Sequence, residues 1–188
     1  MEKSELAKQK IIAQTIALIK ESNGDTEKVT IRKIAERAKV STGLMNHYFE
    51  SKEKLLELCV QTIINGVVMS FKPELPEDDA PGQVLKSVAK QVMDFLMDNQ
   101  QISRISILGD LSAPKEKDNT MGTALGFSKY VPGDALAKAR MADAFMLTAI
   151  LQESFLRKDV LKSMLGIDLY DKTERDAYID RIVEKIIK

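Results

Sequence analysis

The fold is decided by the stretch Val29–Leu56, which reads VTIRKIAERAKVSTGLMNHYFESKEKLL. Thr30 and Ser41 are each suited to cap a short helix, because a hydroxyl can accept a hydrogen bond from a free amide of the first turn. Lys39-Val40 leaves only a tight break between the two helices, and Ser51 can cap a third, longer one. The stretch therefore predicts two short helices joined by a sharp turn, a helix-turn-helix.

The second short helix is expected to bury one face and expose the other. Leu44, Met45 and Phe49 are the expected anchors in the core. The other positions carry hydroxyl, amide, imidazole and phenol groups, which can hydrogen-bond base edges and phosphates in the major groove of DNA. Residues on this helix and polar residues near it are predicted to contact DNA: Thr30, Arg32, Lys39, Ser41, Thr42, Gly43, Asn46, His47, Tyr48 and Lys52.

Each of these residues also has an ordinary structural interpretation. Tyr48 is an aromatic that can simply pack, and Arg32 and Lys52 can be solvated charges. His47 is the only histidine. The local sequence gives it no convincing nucleophile or acid, so a general-base role is disfavoured. Cys59 lies in an apolar stripe and is expected to be a buried, inert thiol rather than a redox sensor.

The segment resembles the N-terminal DNA-binding region of the TetR family of bacterial transcription regulators. The resemblance covers about fifty residues and implies a homodimer that binds an operator palindrome. It also implies a C-terminal domain whose small-molecule ligand switches the affinity for DNA. The matching residues are Thr30, Ile34-Ala35, Ala38, Val40-Ser41, Gly43, His47-Tyr48-Phe49, Ser51-Lys52-Glu53 and Leu55.

Two residues depart from the family pattern. Lys39 stands where a glycine is usual, at a position that often needs positive φ, so the side chain costs about 1 kcal/mol there. A phosphate contact by Lys39 would offset that cost. Asn46 stands where the family commonly has an aromatic, so a phosphate contact is lost there or Asn46 reads a base, as asparagine does with adenine.

The rest of the chain predicts an all-α protein, because apolar residues recur at helical spacing and period-two alternation is absent. The expected architecture is an N-terminal three-helix helix-turn-helix domain, residues 1–50, followed by a helical ligand-binding and dimerisation domain, residues 51–188. The predicted helices cover about 4–21, 31–38, 42–48, 52–71, 82–99, 102–111, 121–129 and 134–158, and a last one runs from a capping box at Thr173–Asp176 to about 188.

A broad apolar stripe on the predicted fourth helix must pack on two sides or along a cavity. The methionine and aromatic residues of the later helices are core residues by default. The alternative is a small-molecule pocket, since such pockets are mostly apolar with a few polar anchors. The residues expected to line it are Ile63, Val67, Met93, Met97, Arg104, Phe127, Phe145 and Met146.

The composition excludes several classes of protein. Lys and Arg number 28 and Asp and Glu also 28, so bulk charge does not drive nucleic-acid binding. One cysteine and one histidine cannot form a zinc site, and we expect no metal and no cofactor. The chain carries neither a P-loop nor an assembled nucleophile and base, so no enzyme is expected. Without a signal peptide or a long apolar window, it is expected to be cytoplasmic, with no membrane association.

The favoured function is therefore a sequence-specific transcriptional regulator, a repressor that a small molecule bound in the C-terminal domain releases from its operator. The expected partners are duplex operator DNA, the effector, and a second copy of the chain bound through the C-terminal helices. The alternative is a helical protein-interaction module whose helix-turn-helix binds another protein and not DNA.

Overall fold

The computed structural model describes residues 2–73, 81–132 and 136–187, and in these ranges the chain forms α-helices and no β-strand. The predicted all-α class is therefore confirmed. Ten helices and a short 3₁₀ turn at Thr26–Lys28 follow in this order: α1 Glu2–Glu21, α2 Ile31–Ala38, α3 Thr42–Tyr48, α4 Lys52–Ser70, α5 Pro81–Asp98, α6 Gln100–Ser112, α7 Asn119–Ser128, α8 Ala137–Leu156, α9 Lys158–Leu165 and α10 Lys172–Ile186.

Two helix boundaries differ from the prediction. The single helix expected to reach Lys158 stops at Leu156; Arg157 leaves helical geometry at φ −107° and ψ 19°, and α9 follows. The predicted start of that helix, at 134, lies outside the described residues. The cap of the last helix is Asp171 and not Thr173, because the Asp171 carboxylate accepts the hydrogen bond from the amide of Glu174 at 2.9 Å.

The chain divides into two compact units. The first comprises Met1–Val67 and Asn99–Ser112, and the second Val68–Asp98 and Ala113–Lys188. Helices α1 to α3, nearly all of α4, and α6 are thus in the first unit, whereas α5 and α7 to α10 are in the second. The functional division expected at residue 50 stays a prediction.

In the first unit, α1 packs against α2 and α2 against α3. The core contains Ile34 and Ala38 from α2 and the expected anchors Met45 and Phe49, while Leu44 is half-buried. Cys59 is fully buried, and burial raises the pKa of its thiol to about 12, since the thiolate would be desolvated. A thiol with that pKa stays neutral at physiological pH, which agrees with the expected inert cysteine.

A polar cluster joins α4 to α6 within the first unit. The Gln61 side-chain amide donates to the Asp110 carboxylate at 2.9 Å and to the carbonyl oxygen of Ser106 at 3.1 Å. The Ser106 hydroxyl donates to the Gln61 carbonyl at 3.2 Å. Gly109 lies beside this cluster, and a Cβ there would come within 2.7 Å of the Gln61 amide nitrogen. The absent side chain of Gly109 is what permits this close packing.

The second unit is held by apolar packing and by ion pairs between α5 and α10. Helix α10 packs on α5 and α8, and α7 packs on α8. Three residues of α5, spaced one helical turn apart, each form an ion pair with α10. These pairs are Lys86–Glu184 at 2.7 Å, Lys90–Asp180 at 2.8 Å, and Asp94 with both Lys172 at 2.8 Å and Arg175 at 2.7 Å.

Candidate nucleic-acid interface

The turn between α2 and α3 is built by the residues that the sequence singled out. The Thr30 hydroxyl accepts from the amide of Lys33 at 3.3 Å, and the Ser41 hydroxyl accepts from the amide of Leu44 at 3.2 Å. Lys39 lies in the left-handed region, at φ 53° and ψ 47°. The expected positive φ is therefore confirmed, and a lysine in place of glycine costs about 1 kcal/mol there.

Helix α3 presents a polar face to solvent. Thr42, Gly43, Asn46 and His47 are all exposed, and they share one face because they are three to five residues apart. Gly43 has only the Ser41 hydroxyl within 4 Å of where a Cβ would stand, at 3.9 Å, so the backbone there is open to close approach. The buried anchors on the opposite side of α3 hold this face outward.

Tyr48, at the end of α3, is half-buried and both packs and hydrogen-bonds. Its ring makes edge contacts with His47, 5.4 Å between ring centroids, and with Phe49, at 6.4 Å. Its hydroxyl lies 3.0 Å from the Ser4 Oγ near the start of α1. Sequence reasoning missed Ser4, since it lies 44 residues from Tyr48 and no local pattern connects them.

The cationic residues around α3 divide into paired and exposed groups. Arg37 is paired with Glu21, with one nitrogen 2.8 Å from the carboxylate, and the Lys33 ammonium donates to the carbonyl of Lys28 at 3.0 Å. Arg32 and Lys39 are exposed, and Lys52 is half-buried at the first position of α4. These last three are the predicted phosphate contacts, and all of them reach solvent.

The start of α4 carries a carboxylate beside Lys52. A hydrogen bond from the backbone amide of Glu53 to its own side chain, and another from the Ser51 hydroxyl, lower the pKa of Glu53 below its ordinary value. The amide of Lys54 in the same turn is already engaged, because it donates to the Ser51 hydroxyl at 3.2 Å. The Lys52 ammonium is therefore the group suited to a phosphate at this point.

The residues predicted to line a ligand pocket are distributed over both units. Ile63 and Val67 of α4 are half-buried and Arg104 of α6 is exposed, all in the first unit. The others belong to the second unit. Helices α5 and α7 pack together, and the predicted pocket residues on them, Met93, Met97 and Phe127, are buried. By contrast, Phe145 and Met146 on the outer side of α8 are 44% and 47% exposed.

The described residues include no metal-binding group and no membrane-spanning helix. No set of three or more His, Cys, Asp or Glu side chains within them is arranged to hold a metal ion. None of the helices in the described part of the chain has the length and apolar character needed to cross a membrane.

Comparison with known proteins shows that part of the chain is similar to bacterial regulators. Residues 11–59 match the model of the bacterial regulatory proteins of the tetR family. The HTH-type transcriptional regulator BetI of Serratia proteamaculans is 31% identical over 85 residues, which are 44% of this chain and 42% of BetI. The nucleoid occlusion factor SlmA of Haemophilus ducreyi is 24% identical over 97 residues, 52% of this chain and 48% of SlmA. The chain thus aligns with about half the length of these curated relatives.

A solved structure extends the similarity of fold to nearly the whole chain. A transcriptional regulator from Rhodococcus sp. Rha1 superposes with a TM-score of 0.60 at 17% identity, over 95% of both chains. The family match covers all of α2 and α3 and the residues that build their turn. The helix-turn-helix segment of the chain is therefore similar to the DNA-binding region of the tetR family of bacterial regulatory proteins, and the whole chain shares its fold with the Rhodococcus regulator.

Proposed function

We propose that the protein binds duplex DNA sequence-specifically, with α3 in the major groove, and represses transcription from the site it occupies. The observation that carries the proposal is the exposed polar face of α3, held outward by buried anchors. Thr42, Gly43, Asn46 and His47 are the residues proposed to meet base edges, because they share that face.

The groups surrounding α3 are assigned to the DNA backbone. Phosphate contacts fix the register of the protein on the duplex, whereas base contacts supply the specificity. The assigned residues lie at the start of α2, in the turn, at the end of α3 and at the start of α4: Thr30, Arg32, Lys39, Ser41, Tyr48 and Lys52. Residues 1–60 carry 11 basic and nine acidic side chains, and in a dimer this small positive excess doubles.

A second copy of the chain is the proposed partner, bound through an apolar stripe on α8. The α8 stripe consists of residues three or four apart, so it forms one face. Its larger side chains are 38–47% exposed within the single chain. The α10 residues Ile179, Ile182 and Val183, by contrast, are buried inside the second unit. The members of the α8 stripe are Ala142, Phe145, Met146, Ala149 and Ile150.

A charge placed in the α8 stripe is expected to separate the dimer. The Phe145→Glu variant would have to bury a carboxylate in each half of the interface, which raises the dimer dissociation constant by at least about a hundredfold. Sedimentation velocity at increasing concentration measures this constant. Thr173→Glu, on the exposed side of α10, is the matched control and should remain dimeric. A Phe145→Glu protein as dimeric as wild type would rule out this interface.

Release by a small-molecule effector completes the proposal. Helix α4 starts directly after α3 and is continuous from Lys52 to Ser70, so a ligand contacting its later turns would change the position of α3. The two α3 helices of a dimer must lie about 34–36 Å apart to enter successive major grooves. An effector that binds better to a dimer with another spacing therefore weakens DNA binding. Of the predicted pocket residues, Ile63 and Val67 on the later turns of α4 are the first to substitute when an effector is found.

The alternative function is a helical interaction module in which the exposed face of α3 binds a protein. Its support is that hydroxyl, amide and imidazole groups also occur at protein interfaces. It differs from DNA binding in its response to salt, because displacement of counterions from phosphates makes DNA affinity fall steeply as salt rises.

Lys52→Ala tests the DNA-binding proposal. Removal of one phosphate contact should weaken binding to every duplex and reduce the slope of log K against log [salt] by about one. Fluorescence anisotropy with a labelled duplex at several salt concentrations measures both quantities. Lys185→Ala, which removes an exposed lysine near the end of α10, serves as control. An unchanged slope for Lys52→Ala would remove Lys52 from the interface, and an absence of DNA binding by wild type would favour the interaction module.

A further inference from the structure

The start of α1 meets the end of α3 through one hydrogen bond, which joins the hydroxyls of Ser4 and Tyr48 at 3.0 Å. Tyr48 was expected to contact a phosphate directly, yet its phenol is already engaged in this bond. Ser4 is exposed to solvent, whereas Tyr48 is half-buried. Of the two hydroxyls, that of Ser4 is therefore the more accessible to a bound duplex.

Proton counting decides what the pair can donate. Each hydroxyl has one proton and can accept two hydrogen bonds, so one proton is used between the two groups and one remains. With the Tyr48 phenol as donor to Ser4, the remaining proton belongs to the exposed serine. A hydroxyl that already accepts a bond is polarised by it and becomes a stronger donor in turn.

The position of Ser4 in α1 favours an anion as the acceptor. Ser4 lies in the first turn of this 20-residue helix. The amides of a first turn have no partner within the helix and carry the positive end of its dipole. The exposed hydroxyl and the helix terminus thus favour the same kind of ligand, at the point where Tyr48 ends α3.

We propose that Ser4 is a phosphate-contacting residue that acts together with Tyr48. The Tyr48 phenol donates to the Ser4 hydroxyl, and the Ser4 hydroxyl donates its own proton to a phosphate oxygen of the DNA backbone. Tyr48 is then a positioning residue, and α1 joins α2, α3 and α4 in the interface. This inference rests on the proposed function, because it requires that α3 binds DNA.

The test uses Ser4→Ala, Tyr48→Phe and the double variant in the full chain. The probes are a labelled duplex enriched from a random pool by the wild-type protein and a scrambled duplex of equal length. Ser4→Ala should bind both duplexes about tenfold more weakly, as expected for loss of one hydrogen bond to a charged group. Tyr48→Phe should also weaken binding. The double variant should bind as weakly as Ser4→Ala and no more weakly, because both changes remove the same contact.

The salt dependence separates this contact from an ionic one. Neither hydroxyl carries a charge, so the slope of log K against log [salt] should equal that of wild type in all three variants. Ser163→Ala is the matched control, since the Ser163 hydroxyl donates a hydrogen bond of 3.1 Å to the Val160 carbonyl of its own helix. An unchanged thermal unfolding curve for Ser4→Ala shows that the exposed substitution leaves the fold intact.

Two results would overturn the inference. Wild-type affinity of Ser4→Ala is one, and a double variant whose loss equals the product of the two single losses is the other. If Lys52→Ala weakens binding while Ser4→Ala does not, the Ser4 contact alone is wrong. If the wild-type protein binds neither duplex, the proposed function has failed and the Ser4 contact with it.

Discussion

The His47→Ala/Tyr48→Ala double variant is expected to lose about a hundredfold or more of its affinity for an enriched duplex and to keep its fold. His47 is proposed to make a base contact and Tyr48 to support a phosphate contact, each worth about 1–3 kcal/mol, and a loss of 1.4 kcal/mol is a tenfold change in affinity. His47 is exposed and Tyr48 is half-buried, so neither truncation opens a large cavity in the first unit. Anisotropy measures the affinity, and circular dichroism checks the helix content.

The two residues are expected to differ in what they lose. His47→Ala alone should reduce discrimination between the enriched and scrambled duplexes, because His47 lies on the face proposed to read bases. Tyr48→Ala should weaken binding to both duplexes by a similar factor, because the role proposed for Tyr48 concerns the DNA backbone and not the bases. Tyr170→Ala is the control: it removes an exposed phenol that donates a hydrogen bond to Asp159 at 3.0 Å, and the variant should bind DNA like wild type. A double variant with wild-type affinity would contradict the assignment of α3.

The second large effect concerns stability: Asp94→Ala is expected to lower the free energy of unfolding by about 3 kcal/mol. Arg175 is buried, with only 8% of its side chain exposed, and it donates to Asp94 at 2.7 Å and to the carbonyl of Leu169 at 2.7 Å. Removal of Asp94 leaves a buried guanidinium without its carboxylate, and breaking a buried ion pair costs about 3–5 kcal/mol. The lower value applies because Asp94 is partly exposed, at 30% of its side chain.

Arg175→Met provides the comparison for this pair. It removes the buried charge and fills a similar volume, and Asp94 keeps its pair with Lys172, so it should destabilise the protein less than Asp94→Ala does. Chemical denaturation followed by circular dichroism measures both variants. A larger loss in Arg175→Met than in Asp94→Ala would show that the guanidinium acts mainly through its bond to Leu169.

The same pair sets a pH dependence. Burial acts to raise the pKa of Asp94, but hydrogen bonds from Lys172 and Arg175 and their charges outweigh it and hold that pKa below its ordinary value. A carboxyl whose pKa is depressed in the folded state adds stability above its unfolded pKa, about 3.9 for aspartate. That stability is lost as pH falls through the folded pKa. Asp94→Asn should therefore show a smaller loss of stability than wild type on acidification.

The sequence predicts local features of this molecule well, because their causes lie within a few residues. Thr30 and Ser41 each cap a helix through an amide three residues along, as expected from the hydroxyl alone. The left-handed conformation of Lys39 follows from the short distance between two helices. Met45 and Phe49 are buried because the polar residues of α3 occupy its exposed face, so the apolar residues turn toward the core.

Features that depend on distant residues were not predicted. Ser4 and Tyr48 lie 44 positions apart, and Asp94 and Arg175 lie 81 apart, and neither partner shows a local pattern that indicates the other. The break at Arg157 was also missed, because neither glycine nor proline marks it. At the start of α10, Asp171 is the N-cap in place of the expected Thr173. Both side chains are good N-caps, and the sequence does not rank them.

The most direct test of DNA binding is selection of duplexes from a random pool by the wild-type protein, followed by measurement of its affinity for the enriched sequence. A dimer that places one α3 in each of two successive major grooves should enrich a palindrome whose half-sites are separated by about one helical turn. The enriched duplex should bind at least about a thousandfold more tightly than a scrambled one at physiological salt. Failure to enrich any sequence, with equal affinity for all duplexes, would contradict sequence-specific binding by α3.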